Sequence, residues 1–185
     1  MQVVEQTKEE MEAKANSMSD FLKMEYLESC LHASRDPAVL RYCYFELVKL
    51  YEARVMYSDA IKYLNKLQQL VVSAMDKLQL YEKEIELLMK SGNYERIGEV
   101  YKSFLKITTN EIEGLNLRRK IVKLYMREAQ KFESAHKNLA LLKVYEQLIP
   151  LLTDTERNEA KKKLFNVYQK LGKVKESIAL ENSMR

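Results

Sequence analysis

Glycine and proline are scarce, with four and two residues in a chain of 185. Four scattered glycines hardly suffice for a phosphate-cradling loop, and neither GxxxxGK[ST] nor GxGxxG occurs. Cysteine is rarer still. Cys30 and Cys43 are the only two, with no CxxC spacing, which excludes a cysteine-rich metal site and a disulfide-stapled secreted domain. Both read as small buried hydrophobes in a reducing compartment. Tryptophan is absent, whereas tyrosine occurs 12 times. The opening MQVVEQTKEEMEAK lacks an apolar core followed by a small-residue cleavage site, so no signal peptide is expected. The longest uncharged stretch, Leu67 to Met75, is too short to cross a bilayer. The expectation is a soluble, cytoplasmic protein with no membrane span.

What remains favours helix. Leu, Lys, Glu, Ala and Met are abundant, and they lose little side-chain entropy in a helix. Apolar residues make up 46% and charged residues 31%, the balance of a chain that folds. Net charge is +4 and unevenly placed. Residues 1–110 carry 15 basic and 17 acidic groups, and residues 111–185 carry 16 and 10. Such asymmetry bears on partners, not on fold.

Internal similarity runs through the chain. Leu47-Val-Lys-Leu-Tyr51 aligns with Ile121-Val-Lys-Leu-Tyr125, and Tyr57-Ser-Asp-Ala60 with Phe132-Glu-Ser-Ala135 once one residue is inserted. Between them lies Glu84-Ile-Glu-Leu-Leu88, followed by Gly92-Asn-Tyr94 and Ile97, giving copies about 37 residues apart. A fourth copy, Leu164-Phe-Asn-Val-Tyr168 with Gly172-Lys-Val174, follows after a longer step. Each copy reads as two helices. Tyr44, Leu47, Val48 and Tyr51 form one apolar stripe, and Ala60, Leu64 and Leu67 supply its partner. Tyr81, Ile85 and Leu88, then Ile97, Tyr101 and Phe104, repeat the scheme. Gly92 and Gly172 suit helix C-termini that need positive φ. Asp36-Pro37 marks a helix start, and Asn110/Glu113 and Thr153/Glu156 have capping-box spacing. Short turns make neighbouring helices antiparallel.

An anchoring aromatic, a Leu, a Tyr one turn on, a Gly-Asn-Tyr turn, then an Ala and a bulky pair resemble the tetratricopeptide (TPR) pattern, best from Tyr81 through Phe104. The resemblance covers residues 41–185 in degenerate form. Val48, Ile85, Val122 and Phe165 replace its small first-helix residue, no Pro closes the units, and the spacing is longer. A divergent member of the broad group that includes vesicle-fusion attachment proteins and proteasome-lid subunits is implied. The implied fold is all-α, a right-handed α–α solenoid of four to five antiparallel hairpins in one domain. Residues 1–35 would cap it, with Val3, Val4 and Met11 as the anchors of a polar segment and Phe21, Leu22, Met24, Leu27 and Leu31 as a firm helix.

Chemistry is sparse. His32 and His136 stand far apart, outside HExxH and away from any candidate nucleophile, and read as helix-surface residues. Glu82 and Glu86 stand at i, i+4, a spacing usual for a solvated face. No catalytic, metal or cofactor residues are assigned, and a non-enzymatic scaffold or adaptor is expected.

The resemblance implies that first helices line a concave, ligand-binding face. Helical spacing places Tyr42, Phe45, Lys49 and Glu52 there in one unit, and Gln79, Glu82, Glu86 and Met89 in the next. Asn116, Arg119, Lys123 and Arg127 follow, then Lys162, Asn166 and Lys170. Lys162 and Asn166 resemble part of a clamp for a peptide's terminal carboxylate, although its further residues are lacking. Arg118–Lys120 and Lys161–Lys163 also read as solubilising charge. Three kinds of partner stay open: a protein or peptide, acidic or amphipathic; nucleic acid, RNA included, on the basic C-terminal half; and a second copy, through the C-terminal end.

Overall fold

The computed structural model describes Val3, Glu5 and residues 7–184. The described residues form ten α-helices and no strand. They fall into two compact units that divide between Ser91 and Gly92.

The first unit holds α1 (Lys8–Asn16), α2 (Asp20–Ala33), α3 (Pro37–Ala53), α4 (Tyr57–Leu70) and α5 (Ala74–Ser91). Helix α3 packs most extensively on α4, and also on α2, while α5 packs on α4. Tyr26, Leu27, Cys30, Cys43, Leu47, Leu64, Ile85 and Leu88 fill the core. Cys30 and Cys43 are free and buried, and burial pushes the Cys43 thiol up to about 12. Local chemistry fixes the start of α1. Thr7 and Glu10 close a capping box on α1, and Met11 and Ala15 are buried. Val4 lies outside the described residues. Glu28 of α2 ties three helices together, accepting from the hydroxyls of Tyr51 at 2.7 Å and Tyr63 at 2.8 Å. Those two rings stack at 5.4 Å.

The second unit holds α6 (Ile97–Ile107), α7 (Glu111–Ser134), α8 (Asn138–Leu148), α9 (Asp154–Lys170) and α10 (Val174–Asn182), with 3-10 turns at Tyr94–Arg96 and Ile149–Leu151. Helix α8 packs between α7 and α9, and α10 on α9. Phe104, Leu117, Ile121, Tyr125, Val144, Leu148 and Leu164 are buried. The Tyr125 hydroxyl donates to the Tyr94 carbonyl at 3.0 Å.

Four connections share one backbone conformation. Val55, Gly92, His136 and Gly172 have φ of 63°, 73°, 53° and 68°. Each is followed by a residue near φ −85°, ψ 65°, namely Met56, Asn93, Lys137 and Lys173. In three of them the amide of that following residue reaches back to the carbonyl of Tyr51, Phe132 or Tyr168, each at 2.9 Å. This is the Schellman closure of a helix end. Counted from the positive-φ residue, Tyr44, Tyr81 and Tyr125 stand eleven positions upstream. Ala60, Ile97, Leu141 and Ser177 stand five positions downstream, all buried.

That geometry corrects the alignment of copies. Tyr51 precedes Val55 by four residues, whereas Tyr125 precedes His136 by eleven, so Ile121–Tyr125 lies seven residues too early. Likewise Tyr57–Ala60 opens α4, whereas Phe132–Ser134 ends α7 and Ala135 caps it. Seven residues are nearly two full helical turns, so the slip leaves the apolar face unchanged. Helix α7, at 24 residues, absorbs the difference.

Gly92 and Gly172 take the positive φ expected of them, and His136 is a turn residue rather than a helix-surface one. His32 is exposed on α2. Asp36 caps α3 through the Ala38 amide at 2.9 Å, with Pro37 in the first turn. Thr153 and Glu156 form their capping box. At α7 the box is incomplete. Asn110 accepts from the Ile112 amide, but the Glu113 carboxylate takes the Thr108 hydroxyl at 2.7 Å instead.

Val55 is exposed and β-branched, a poor residue for the left-handed region. Val55→Gly is expected to stabilise the protein by about 1 kcal/mol in urea denaturation, strain relief exceeding the entropy that glycine adds to the unfolded chain. A loss of stability would contradict this assignment.

Candidate partner-binding surfaces

In the first unit, α1, α3 and α5 border a groove of about 570 Å³. Tyr42, Phe45 and Lys49 line it, with Lys8 and Glu12 on α1 and Gln79 on α5. Phe45 is 48% exposed, and the Lys49 ammonium sits 4.2 Å from its ring centre. Part of the charge here is paired, while Lys8 and Arg41, which also line the groove, have no ion pair among the described residues. Glu46 accepts from Lys23 and Lys49, both at 2.7 Å. Burial alone raises its pKa, but the two lysines outweigh that and leave the carboxyl below its ordinary value. Its contribution to stability is therefore present above the ordinary glutamate range and is lost as pH falls through the lowered pKa. Glu52 is likewise held by Lys83 and Lys90, both at 2.7 Å, and lies below its ordinary value despite burial. Met89, expected on this face, is only 4% exposed and belongs to the core. Glu82 and Glu86 are half-buried.

The Tyr42 hydroxyl is buried and has no hydrogen-bond partner among the described residues. Burial, reinforced by Glu46 and Glu12, pushes it up to about 12. An unpaired buried hydroxyl costs about 1–3 kcal/mol, so Tyr42→Phe is expected to be neutral or stabilising by up to about 1 kcal/mol. Thermal denaturation reads it out, and a clear destabilisation would mean that the hydroxyl has a partner.

The second unit presents a different surface. It carries 19 basic and 12 acidic groups against 12 and 15 in the first. Asn116, Arg119, Lys123 and Arg127 are exposed along one face of α7, and Lys162, Asn166 and Lys170 are exposed on α9. Among the described residues none of the seven has a side-chain hydrogen bond or ion pair. A depression of about 320 Å³ is bordered by Leu115, Arg119, Val122 and Lys123 of α7, with Leu151, Thr153 and Glu156 opposite. It brings together Arg119 and Lys123 but not Lys162, Asn166 or Lys170. Arg118, beside them in sequence, is structural, its Nε donating to the Leu151 carbonyl at 2.7 Å. Lys161 is also used internally, on the Ser183 carbonyl at 3.2 Å. Spacing alone did not separate these two from their solvent-facing neighbours. The exposed Ile112 and Leu115 on α7, absent from the sequence-based set, are 65% and 48% exposed.

Among the described residues, no three His, Cys, Asp or Glu side chains are grouped to hold a metal ion. Among the described residues no helix is long and apolar enough to cross a membrane.

No family model matches the chain, and no curated protein matches it by sequence. A solved structure, that of BtubC (BKLC) from P. vanneervenii, is similar at 13% identity and a TM-score of 0.38. The match covers 94% of this chain and 75% of that one.

Proposed function

We propose that the chain is a non-enzymatic interaction module, a scaffold or adaptor of the cytoplasm. In this reading its helix pairs stack as a right-handed TPR-like solenoid and its first helices receive a protein partner. Support for the repeat comes from the four connections with one backbone conformation and from the tyrosine eleven residues before three of them. The observation that carries the binding role is the row of exposed cations on α7. Lys23, Lys49, Lys83 and Lys90 of the first unit are paired with Glu46 or Glu52, whereas Arg119, Lys123 and Arg127 follow one another on α7, exposed and with no ion pair among the described residues. Unpaired arginines are suited to bidentate capture of a carboxylate. Tyr42, Phe45 and Lys49 offer an aromatic extension of the same kind of surface, and Lys162, Asn166 and Lys170 a polar one.

Affinity capture from lysate, with and without nuclease, tests this on the wild type and on an Arg119→Glu/Lys123→Glu/Arg127→Glu variant. The expected result is a protein partner that survives nuclease and binds the variant about tenfold more weakly, or about 1.4 kcal/mol. Retention that vanishes with nuclease and falls steeply with salt would assign the basic face to RNA or DNA instead. Recovery of the chain itself, lost on changing the exposed Val174 and Ile178 of α10, would replace the reading with self-association.

A further inference from the structure

We infer that α7 docks an acidic amphipathic helix of a partner protein; this rests on the reading of the chain as a protein-binding module and specifies its occupant. At 24 residues α7 is the longest helix described. Its buried side is set by Leu117, Ile121 and Tyr125. At 100° per residue the opposite side is a two-edged surface. Leu115, Val122 and Met126 form one edge, Lys123 and Arg127 the other, and Ile112 and Arg119 run between. Ile112, Leu115 and Met126 are 65%, 48% and 37% exposed. Exposed apolar residues scattered singly carry no message, but a stripe beside a filled row of cations is what a partner covers.

Charge complementarity decides the sign of that partner. The unit is basic, and Arg119, Lys123 and Arg127 follow one another once per turn with no counter-ion among the described residues. Glu156, the acid at the neighbouring depression, is occupied by the amide and hydroxyl of Thr153 at 3.2 and 2.6 Å. A carboxylate at each turn of a partner would satisfy the row. The apolar edge decides the partner's form. Leu115, Val122 and Met126 lie at helical ridge spacing, which seats the ridge of a second helix. The depression of about 320 Å³ beside Leu115 and Val122 accepts one large apolar side chain from it. Nucleic-acid phosphates would meet the cations but leave Ile112 and Leu115 against a charged backbone.

Selection of a displayed library of random peptides, long enough for several helical turns, against the full chain tests the inference. Enriched peptides are expected to carry Asp or Glu beside an apolar stripe at i, i+3, i+4 and i+7, and synthetic copies should gain helicity on binding. Their affinity should fall at least about tenfold with Arg119→Glu/Lys123→Glu and again with Leu115→Asn. A Lys102→Glu/Lys143→Glu control, at exposed positions of α6 and α8, should bind normally. All altered residues are exposed, and circular dichroism verifies the fold of each variant. Enriched peptides that are non-acidic, or that lose affinity in the control instead of the α7 variants, overturn the inference and leave the module reading intact. No enriched peptide at all overturns both. An oligouridylate that binds tighter than any peptide and ignores Leu115→Asn assigns the face to nucleic acid. Self-association abolished by Leu115→Asn assigns it to a second copy. Either result overturns the inference.

Discussion

Tyr125→Ala is expected to destabilise the second unit by about 3–5 kcal/mol, as for large aromatic deletions in a well-packed core. Tyr125 is among the largest fully buried side chains. Its ring lies 6.0 Å from that of Tyr94, and its hydroxyl holds the Tyr94 carbonyl at 3.0 Å. The side chain thus joins the middle of α7 to the 3-10 turn before α6. Burial raises its pKa well above the ordinary tyrosine value, because the phenolate would have to form out of reach of water. Tyr125→Phe retains the packing and loses only the hydrogen bond, at about 1 kcal/mol. Urea denaturation followed by far-UV circular dichroism separates the two. If Tyr125→Ala cost no more than Tyr125→Phe, the packing role assigned to the ring would be wrong.

The first unit has its own hub. Glu28→Ala is expected to cost about 2–3 kcal/mol, since it removes the shared acceptor of two phenols. Tyr51 and Tyr63 both donate to the same oxygen, at 2.7 and 2.8 Å, and so bring α3 and α4 against α2. Burial, with the hydrogen bond to Glu28 next, pushes Tyr51 up to about 12. Glu28→Gln keeps a carbonyl oxygen at the site and should recover about half of the loss. Denaturation curves for the three forms test the order wild type, Gln, Ala. Equal stability of all three would show that water serves the hydroxyls as well as Glu28 does.

Helices were legible in the sequence because their stripes are strong. Tyr44, Leu47, Val48, Ala60, Leu64 and Leu67 are buried or half-buried as spacing required. Helix starts at Asp36-Pro37 and Thr153 were legible through capping chemistry, and two helix ends through Gly92 and Gly172. The other two ends were not, because neither Val55 nor His136 marks a left-handed position in a sequence as glycine does. Without those markers the match of Ile121–Tyr125 to Leu47–Tyr51 falls two turns early, a slip that amphipathic periodicity cannot detect. The candidate surfaces were legible as helix faces only. Spacing placed Arg119, Lys123 and Arg127 on one side of α7. It did not reveal that Arg118 is anchored to Leu151, that Met89 turns inward, or that Glu46 and Glu52 pair with Lys23, Lys49, Lys83 and Lys90. Those outcomes depend on contacts between helices distant in sequence.

Lysine-reactive cross-linking of the captured complex, mapped by mass spectrometry, tests most directly whether the first-helix face of the second unit receives the partner. Lys123, Lys162 and Lys170 lie exposed on α7 and α9, whereas Lys102, Lys106, Lys143 and Lys175 lie exposed on α6, α8 and α10. Cross-links to the partner are expected to concentrate on the first set. Cross-links concentrated on the second set would contradict it.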